Sequence, residues 1–441
     1  MVLARPALMV MTGAKRWLVF GMVLLSMSVS AQVQTTEDYI VPEGDGGYFN
    51  PSTVYATDED AAGFGDLVQV VSVMDVSDSF TAILIRRSSD NGETWTGFEP
   101  LEEMYREGDD YIKFGTGSLF ADPGNGRMVF FAQELCYENN SLASTWRKRR
   151  IVYRISADNG LTWSDRHQLI QDGRDSQGRP FDEQHWMEGA VYGRNMACTI
   201  ASRAIRVRGE GPNQGRILLP FQIQQVDESG ELYMPTGGGY MYSGCLIGEW
   251  NEDLTDLRWD CSNHVGVSPK VSSRGVFEPS VAELPDGRIV MVMRGSNAGL
   301  QGVRGVKFQS ISRDQGTTWS RPVPLLFDDL SPVPSSSSLS LLIRVSDGRV
   351  FYCGVIAEEE PSGNWPRYPV VVAELDPETA LVRRGAVRQV VDRHGEDPKG
   401  AQYVNHWVYE DPIRNALVVL TPHYRGSMKV VVDRHIVPLS E

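Results

Sequence analysis

The chain has little of what marks several large protein classes. Only five of its 441 residues are cysteine, with no Cys-x-x-Cys pair and no His/Cys cluster at zinc spacing. A disulfide scaffold and a structural metal are both excluded as organising devices, and no metal or other cofactor is expected. Basic residues are outnumbered, 42 Lys and Arg against 57 Asp and Glu, for a formal charge of −15. That balance argues against nucleic acid as a partner. Long apolar runs are missing after the first thirty residues, so no later segment is expected to span a membrane. Long amphipathic helical periodicity and low-complexity tracts are missing as well.

The N-terminus stands apart. Arg5, Lys15 and Arg16 precede an apolar run from Trp17 to Val29, followed by the small residues Val29-Ser30-Ala31. A charged start, an h-region of about 13 residues and a small-residue site match a cleaved signal peptide. The run is shorter than the roughly 20 residues a membrane helix needs. Residues 1–31 are therefore expected to be removed on export to the periplasm or the cell exterior, leaving a single domain over residues 32–441. In an oxidising compartment Cys245 and Cys261, which flank a turn-rich stretch, could bridge. Cys136, Cys198 and Cys353 lie in apolar strand-like runs and are expected to be buried thiols.

What the sequence has is repetition. The pattern S-x-D-x-G-x-T-W occurs as Ser88–Trp95, Ser156–Trp163 and Ser312–Trp319, each after a β-branched run. An Asp that bonds its own turn, a Gly that takes positive φ and a Trp that packs back on the sheet together specify a hairpin turn. These residues are assigned to structure, not catalysis, with a worn fourth copy near Glu252 to Trp259. Between the boxes a second pattern recurs, strand, Asp/Asn-Gly-Arg or Gln-Gly-Arg turn, strand. It is seen at Ser118–Phe131, Gln214–Phe221, Pro279–Arg294 and Ser340–Val355, and more loosely at Asn50–Val73 and Tyr403–Leu420. Six units of about 60–80 residues over 45–436 suit six four-stranded blades. The expected fold is all-β, a six-bladed β-propeller with the boxes on its outer rim.

Asp-boxes on six blades resemble the sialidase (neuraminidase) superfamily. A more specific likeness is Phe277-Glu278-Pro279-Ser280 leading through Asp286-Gly287-Arg288 to Arg294. It is similar to the sialidase segment that places a catalytic Glu before a substrate-binding Arg. The resemblance extends to Gln402-Tyr403-Val404-Asn405, placed where a nucleophilic Tyr is found, and to Arg367, placed where another binding Arg is found. Asp78 is its best-spaced acid/base, with Asp75 the alternative. The roles thus implied are Tyr403 as nucleophile, Glu278 as its base, Asp78 as acid/base and Arg294 and Arg367 as anion-binding residues. Tyrosine suits a substrate whose own carboxylate would repel a carboxylate nucleophile, and guanidinium groups pair with carboxylates bidentately. The bland alternatives are a blade-edge salt bridge for Glu278 and Arg294, a strand aromatic for Tyr403, and a surface residue for Arg367. His185, His406 and His423 sit in ordinary contexts.

The stretch Tyr48-Phe49-Asn50-Pro51-Ser52 departs from the likeness, because sialidases begin their first blade with a carboxylate-gripping Arg and this chain has none there. Either Arg194 or Arg86 leans in from a neighbouring blade, or the substrate differs. The implied activity is an exo-acting, retaining hydrolase that releases a terminal acidic sugar from a glycan. A uronate-polysaccharide lyase or hydrolase and a non-catalytic glycan-binding propeller are the alternatives.

Overall fold

A computed structural model describes residues 32–43, 46–56, 66–76, 78–142, 145, 149–169, 197–199, 202–229, 231–395, 397–398, 400–424 and 430–440. Residues 1–31, and with them the expected signal segment, lie outside the described residues, as do His185 and Arg194. Among the described residues no helix is long and apolar enough to cross a membrane.

The strands form six antiparallel sheets, as the repeats predict. Blade I holds Gly47–Tyr55, Leu67–Val76, Ser79–Ser88 and Glu99–Glu103. Blade II is built on Asp110–Ala121, Met128–Tyr137 and Arg149–Ser156, and blade III on Ile217–Gln224 and Met241–Trp250. Blade IV holds Phe277–Glu283, Ile289–Arg294 and Lys307–Ser312, and blade V Ser340–Arg344, Val350–Val355 and Val370–Leu375. Blade VI combines Trp407–Asp411, Ala416–His423 and Val431–Pro438 with the N-terminal strand Gln34–Ile40. This last pairing closes the ring non-covalently. The repeat spacing, which begins near residue 45, does not foresee it.

The apolar core is a set of seams. Val70, Ile83 and Ile85 of blade I pack on Phe114 and Phe130 of blade II, and similar clusters join II to III, III to IV and IV to V. Each fully buried Leu, Ile or Phe in a seam contributes about 1.5–3 kcal/mol. Alternation along each strand supplies one apolar face to each neighbour, and this is why blades need partners on both sides.

The Asp-boxes staple these seams. In the first, Asp90 Oδ1 accepts from Thr94 N (2.8 Å), Oδ2 accepts from Thr94 Oγ1 (2.6 Å), and Ser88 Oγ accepts from Gly92 N (2.9 Å). The other two boxes repeat the bonds from Thr162 and Thr318 to Asp158 and Asp314 at the same lengths. Trp163 and Trp319 then pack into the seam with the preceding blade. None of Trp95, Trp163 and Trp319 lines the axial cavity described below. The worn copy is displaced from its expected register. Asn251 plays the Asp role, its Oδ1 accepting from Thr255 N (2.9 Å), while Trp259 is an ordinary buried strand residue.

Cys245 and Cys261 are both free thiols, not a bridge. Cys261 stands opposite Leu246 on the neighbouring strand, so Cys245, one residue along, faces the other side of the sheet. Side chains that point away from each other cannot reach disulfide geometry. Cys136 and Cys353 are buried as expected; the side chain of Cys198 is outside the description.

The first strands of the blades surround the axis and line a cavity at each end of it. Arg203, just before the first long strand of blade III, lines the second of them. Its guanidinium crosses to the opposite blade, donating to the Val408 carbonyl and lying 5.0 Å from the Trp407 ring centroid.

Candidate active site

The cavity at the leading ends of the first strands has a volume of about 510 Å³. A repeated backbone device feeds side chains into it. In blades I, II and IV the pairing of the first two strands slips between Phe49 and Ser52, Gly115 and Ser118, and Phe277 and Ser280. Inside each slip a non-glycine residue adopts positive φ, namely Asn50 (50°), Thr116 (52°) and Glu278 (47°). Asn405 (62°) sits at the equivalent place in blade VI. Such a bulge re-aims one side chain at the cost of local strain, a cost usually retained where the side chain has work to do. All four residues line the cavity.

Glu278 and Arg294 meet there. Arg294 Nη1 donates to Glu278 Oε1 at 2.6 Å, with the two side chains 10% and 8% exposed. Arg294 also donates from Nε to Ser337 Oγ (2.9 Å) and from Nη2 to Asn364 Oδ1 (3.1 Å). Behind it, fully buried Lys307 donates from its ammonium to the carbonyls of Ser336 (2.8 Å) and Ser338, which fixes the serine tract that orients Arg294. Burial pushes the Lys307 ammonium well below its usual range. The second carboxylate oxygen of Glu278 is buried and has no partner among the described residues. Glu278 N donates to Gln222 Oε1 (2.6 Å), so a blade III side chain holds the strained backbone that presents the carboxylate.

The expected residues are only partly brought together. Asp78 lines the cavity from the hairpin of blade I, at φ 61°, and its carbonyl accepts from the Tyr137 hydroxyl (2.7 Å). The alternative, Asp75, is exposed and outside the cavity lining. Arg367 lines the cavity, its Nη1 donating to Gln402 Oε1 (2.7 Å); burial, and then the Arg294 charge, lower its pKa to about 10. Tyr403 does not line the cavity. It is fully buried in blade VI, its hydroxyl is 2.5 Å from Asp397 Oδ2, and its ring lies 4.3 Å from that of His423. Burial, reinforced by Asp397, pushes the phenol well above its usual range. The blade VI tyrosine in the cavity is Tyr424. Gln402 and Val404, the chain neighbours of Tyr403, both line the cavity, so one position decides between core and cavity.

Arg86 does not compensate for the missing blade I arginine. Its Nε donates to Gln69 Oε1 (2.7 Å), and it stacks 4.4 Å from the Trp95 ring and 4.6 Å from the Phe98 ring, outside the cavity lining. The cavity cations that sequence reasoning missed are Arg149, at the start of a blade II strand, and Arg274, on the connector between blades III and IV. The only sequence signal for Arg274 is that it stands four positions before Glu278. Among the described residues, no group of three or more His, Cys, Asp or Glu could hold a metal ion.

A six-bladed propeller with Asp-boxes and this axial cavity defines a member of the sialidase superfamily. More narrowly, the chain belongs to the BNR repeat-like domain family, whose profile matches residues 77–381. It is 25% identical over 296 residues to a sialidase of Paraclostridium sordellii, covering 66% of this chain and 62% of that protein. Against a sialidase of Clostridium perfringens it is 25% identical over 252 residues, 56% and 54% of the two chains. The matches thus span somewhat over half the length of these relatives. Among solved structures, a protein of unknown function from Dyadobacter fermentans superposes with a TM-score of 0.60 at 17% identity, covering 92% of this chain and 99% of that one. A Trypanosoma rangeli sialidase superposes with a TM-score of 0.56 at 15% identity, covering 91% and 59%. At these identities the superpositions establish the fold.

Proposed function

We propose that the protein is an exported, exo-acting glycosidase that releases a terminal acidic sugar from a glycan. The observation that carries this reading is the convergence of Glu278 and Asp78 with Arg294 and Arg367 on one axial cavity. The arginines bind the acidic group, and the two carboxylates move protons. The nucleophile on this reading is Tyr424, since Tyr403 is engaged with Asp397 and Tyr137 with the Asp78 carbonyl. Glu278 takes the phenolic proton as the Tyr424 oxygen attacks the anomeric carbon, while Asp78 gives a proton to the leaving oxygen. Water then cleaves the glycosyl–tyrosine bond, Asp78 taking its proton and Glu278 returning the other to Tyr424; configuration is retained.

The test is incubation with a panel of sialylated and uronate-capped glycans, with product analysis by mass spectrometry. Release of a saturated acidic monosaccharide, lost in Tyr424→Phe, supports the reading; undiminished release by Tyr424→Phe overturns the nucleophile. A second reading, a uronate lyase, is favoured by Asn50 at the start of blade I and predicts an unsaturated product that absorbs in the ultraviolet. Export is tested by sequencing the N-terminus of secreted protein, which should begin at Gln32.

A further inference from the structure

The cavity holds three arginines that reach it from the blade III–V side, and they are not equivalent. Arg294 is bonded to Glu278, Ser337 and Asn364, and Arg367 to Gln402 and the Asn364 carbonyl (3.3 Å). The side chain of Arg274 is different: its Nε is buried with no hydrogen-bond partner among the described residues. The Glu278 and Asp78 charges act on this largely buried guanidinium, but an N–H left without an acceptor is costly, and a ligand anion supplies one.

Its position is built, not incidental. Met241 N donates to the Arg274 carbonyl (3.0 Å), and Val276 N donates to the Met241 carbonyl (3.0 Å), stitching the connector to blade III. Gly275 between them has φ +72°, and a Cβ there would lie 2.0 Å from the Met241 carbonyl oxygen, so no other residue fits. Ser273 N donates to the Ser296 carbonyl (2.8 Å), tying the same turn to blade IV. The guanidinium carbons of Arg274 and Arg294 each lie 4.7 Å from the centroid of the Phe277 ring. One aromatic ring thus holds two like charges within twice that distance of each other. Burial, and then the Arg294 charge, lower the Arg274 pKa to about 10, which still leaves it cationic at neutral pH.

Blade I offers the opposite chemistry. Asn50 is 3% exposed, lines the cavity, and its Oδ1 has no partner among the described residues. A neutral amide cannot balance a carboxylate, but it both accepts from and donates to a hydroxyl.

We propose that Arg274 grips the acidic group of the substrate, drawing it to the blade III–V side of the cavity, and that Asn50 binds a hydroxyl across the ring. The substrate class this geometry selects is a carboxylated pyranose, of the hexuronate kind, with its carboxylate and a free hydroxyl on opposite edges. The inference rests on the axial cavity being the sugar site.

Calorimetric titration of the full chain with the methyl glycosides of glucuronate, galacturonate and N-acetylneuraminate tests it, with the uronamide as an uncharged control. A uronate glycoside should bind tightest. Arg274→Gln should weaken it about 10- to 100-fold, as expected for loss of a charge-assisted contact, and leave uronamide binding unchanged. Arg274→Lys should restore only part. Asn50→Ala should weaken binding about three- to tenfold, and less for a glycoside lacking the facing hydroxyl. Removing a buried guanidinium with an unpaired Nε should also raise the melting temperature of ligand-free Arg274→Gln, which shows that any binding loss is not misfolding. Uronate binding equal in wild type and Arg274→Gln overturns the inference and leaves the sugar-site reading standing. Tightest binding of the N-acetylneuraminate glycoside overturns the choice of substrate class. No binding of any acidic glycoside overturns the site reading and this inference with it.

Discussion

Blades I and IV begin in the same way and end up doing different things. Phe49-Asn50-Pro51-Ser52 and Phe277-Glu278-Pro279-Ser280 share one bulge, one residue at positive φ and one seam contact. Ser52 Oγ accepts from Leu119 N of the next blade (2.9 Å), as Ser280 Oγ accepts from Leu342 N (2.8 Å). The registers match as well, with Phe49 opposite Ser72 and Phe277 opposite Arg294. Arg294 is therefore replaced in blade I by Ser72, whose hydroxyl accepts from Gly117 N (3.2 Å) and closes a seam. The same backbone presents an acid–base pair in one blade and neutral groups in the other. Conformation and chemistry are thus separable in this fold: the bulge aims a side chain, and the residue type decides what is aimed.

Substitutions can sharpen or break this separation. The largest contrast is catalytic. Glu278→Gln should lower sugar release by about 10²–10⁴-fold, whereas Asn50→Ala, at the same backbone place, should cost about tenfold at most; initial rates on the preferred glycan check both. Next comes stability. Glycine relieves positive φ at either site, so Asn50→Gly should be neutral or stabilising by up to ~1 kcal/mol. Glu278→Gly should instead destabilise by about 3–5 kcal/mol, because it strands buried Arg294. Urea unfolding of both variants decides; equal signs would show that Glu278 is held by backbone alone.

The seam contacts should behave alike. Ser52→Ala and Ser280→Ala each leave a buried amide unsatisfied and should each cost about 1–3 kcal/mol, with sugar binding retained in both. A clear difference between them would mean that the two bulges are not mechanically equivalent.

Stability should also fall as pH drops from about 6.5 towards 4. Burial holds His264, His406 and His435 down to about 4, so they are neutral in the fold and protonate on unfolding. The unfolded chain binds more protons in that window, and stability rises with pH across it. Melting temperature against pH checks this, and His406→Gln should flatten part of the slope.

The smallest effect belongs to the rim. The carboxyl of Asp90 is held down to about 2, first by the Thr94 hydroxyl and then by the Thr94 amide. Its contribution is full above the unfolded value near 4 and is lost as pH falls to about 2. Asp90→Asn should shift the acid-unfolding midpoint slightly and leave the cavity chemistry untouched.

The parts of the molecule that repeat locally were legible from residue order. Ser88–Trp95 and its two copies carry their own turn chemistry, so box, hairpin and blade number follow from neighbours in the chain. Glu278 and Arg294 were legible for the same reason, since one strand, one turn and one strand bring them together. The choice between Tyr403 and Tyr424 was not, because both flank the strands of one hairpin and only packing against Asp397 and His423 decides which ring is buried. Arg274 was hidden because its role depends on the connector's ties to Met241 and Ser296, residues distant in sequence. The sequence by itself determined an all-β chain of six repeated units with a Glu–Arg pair at one blade's start. Only the tertiary structure decided which strand closes the ring, which tyrosine meets the cavity and which further cations line it, because each depends on groups that approach across blades and leave no periodic trace along the chain.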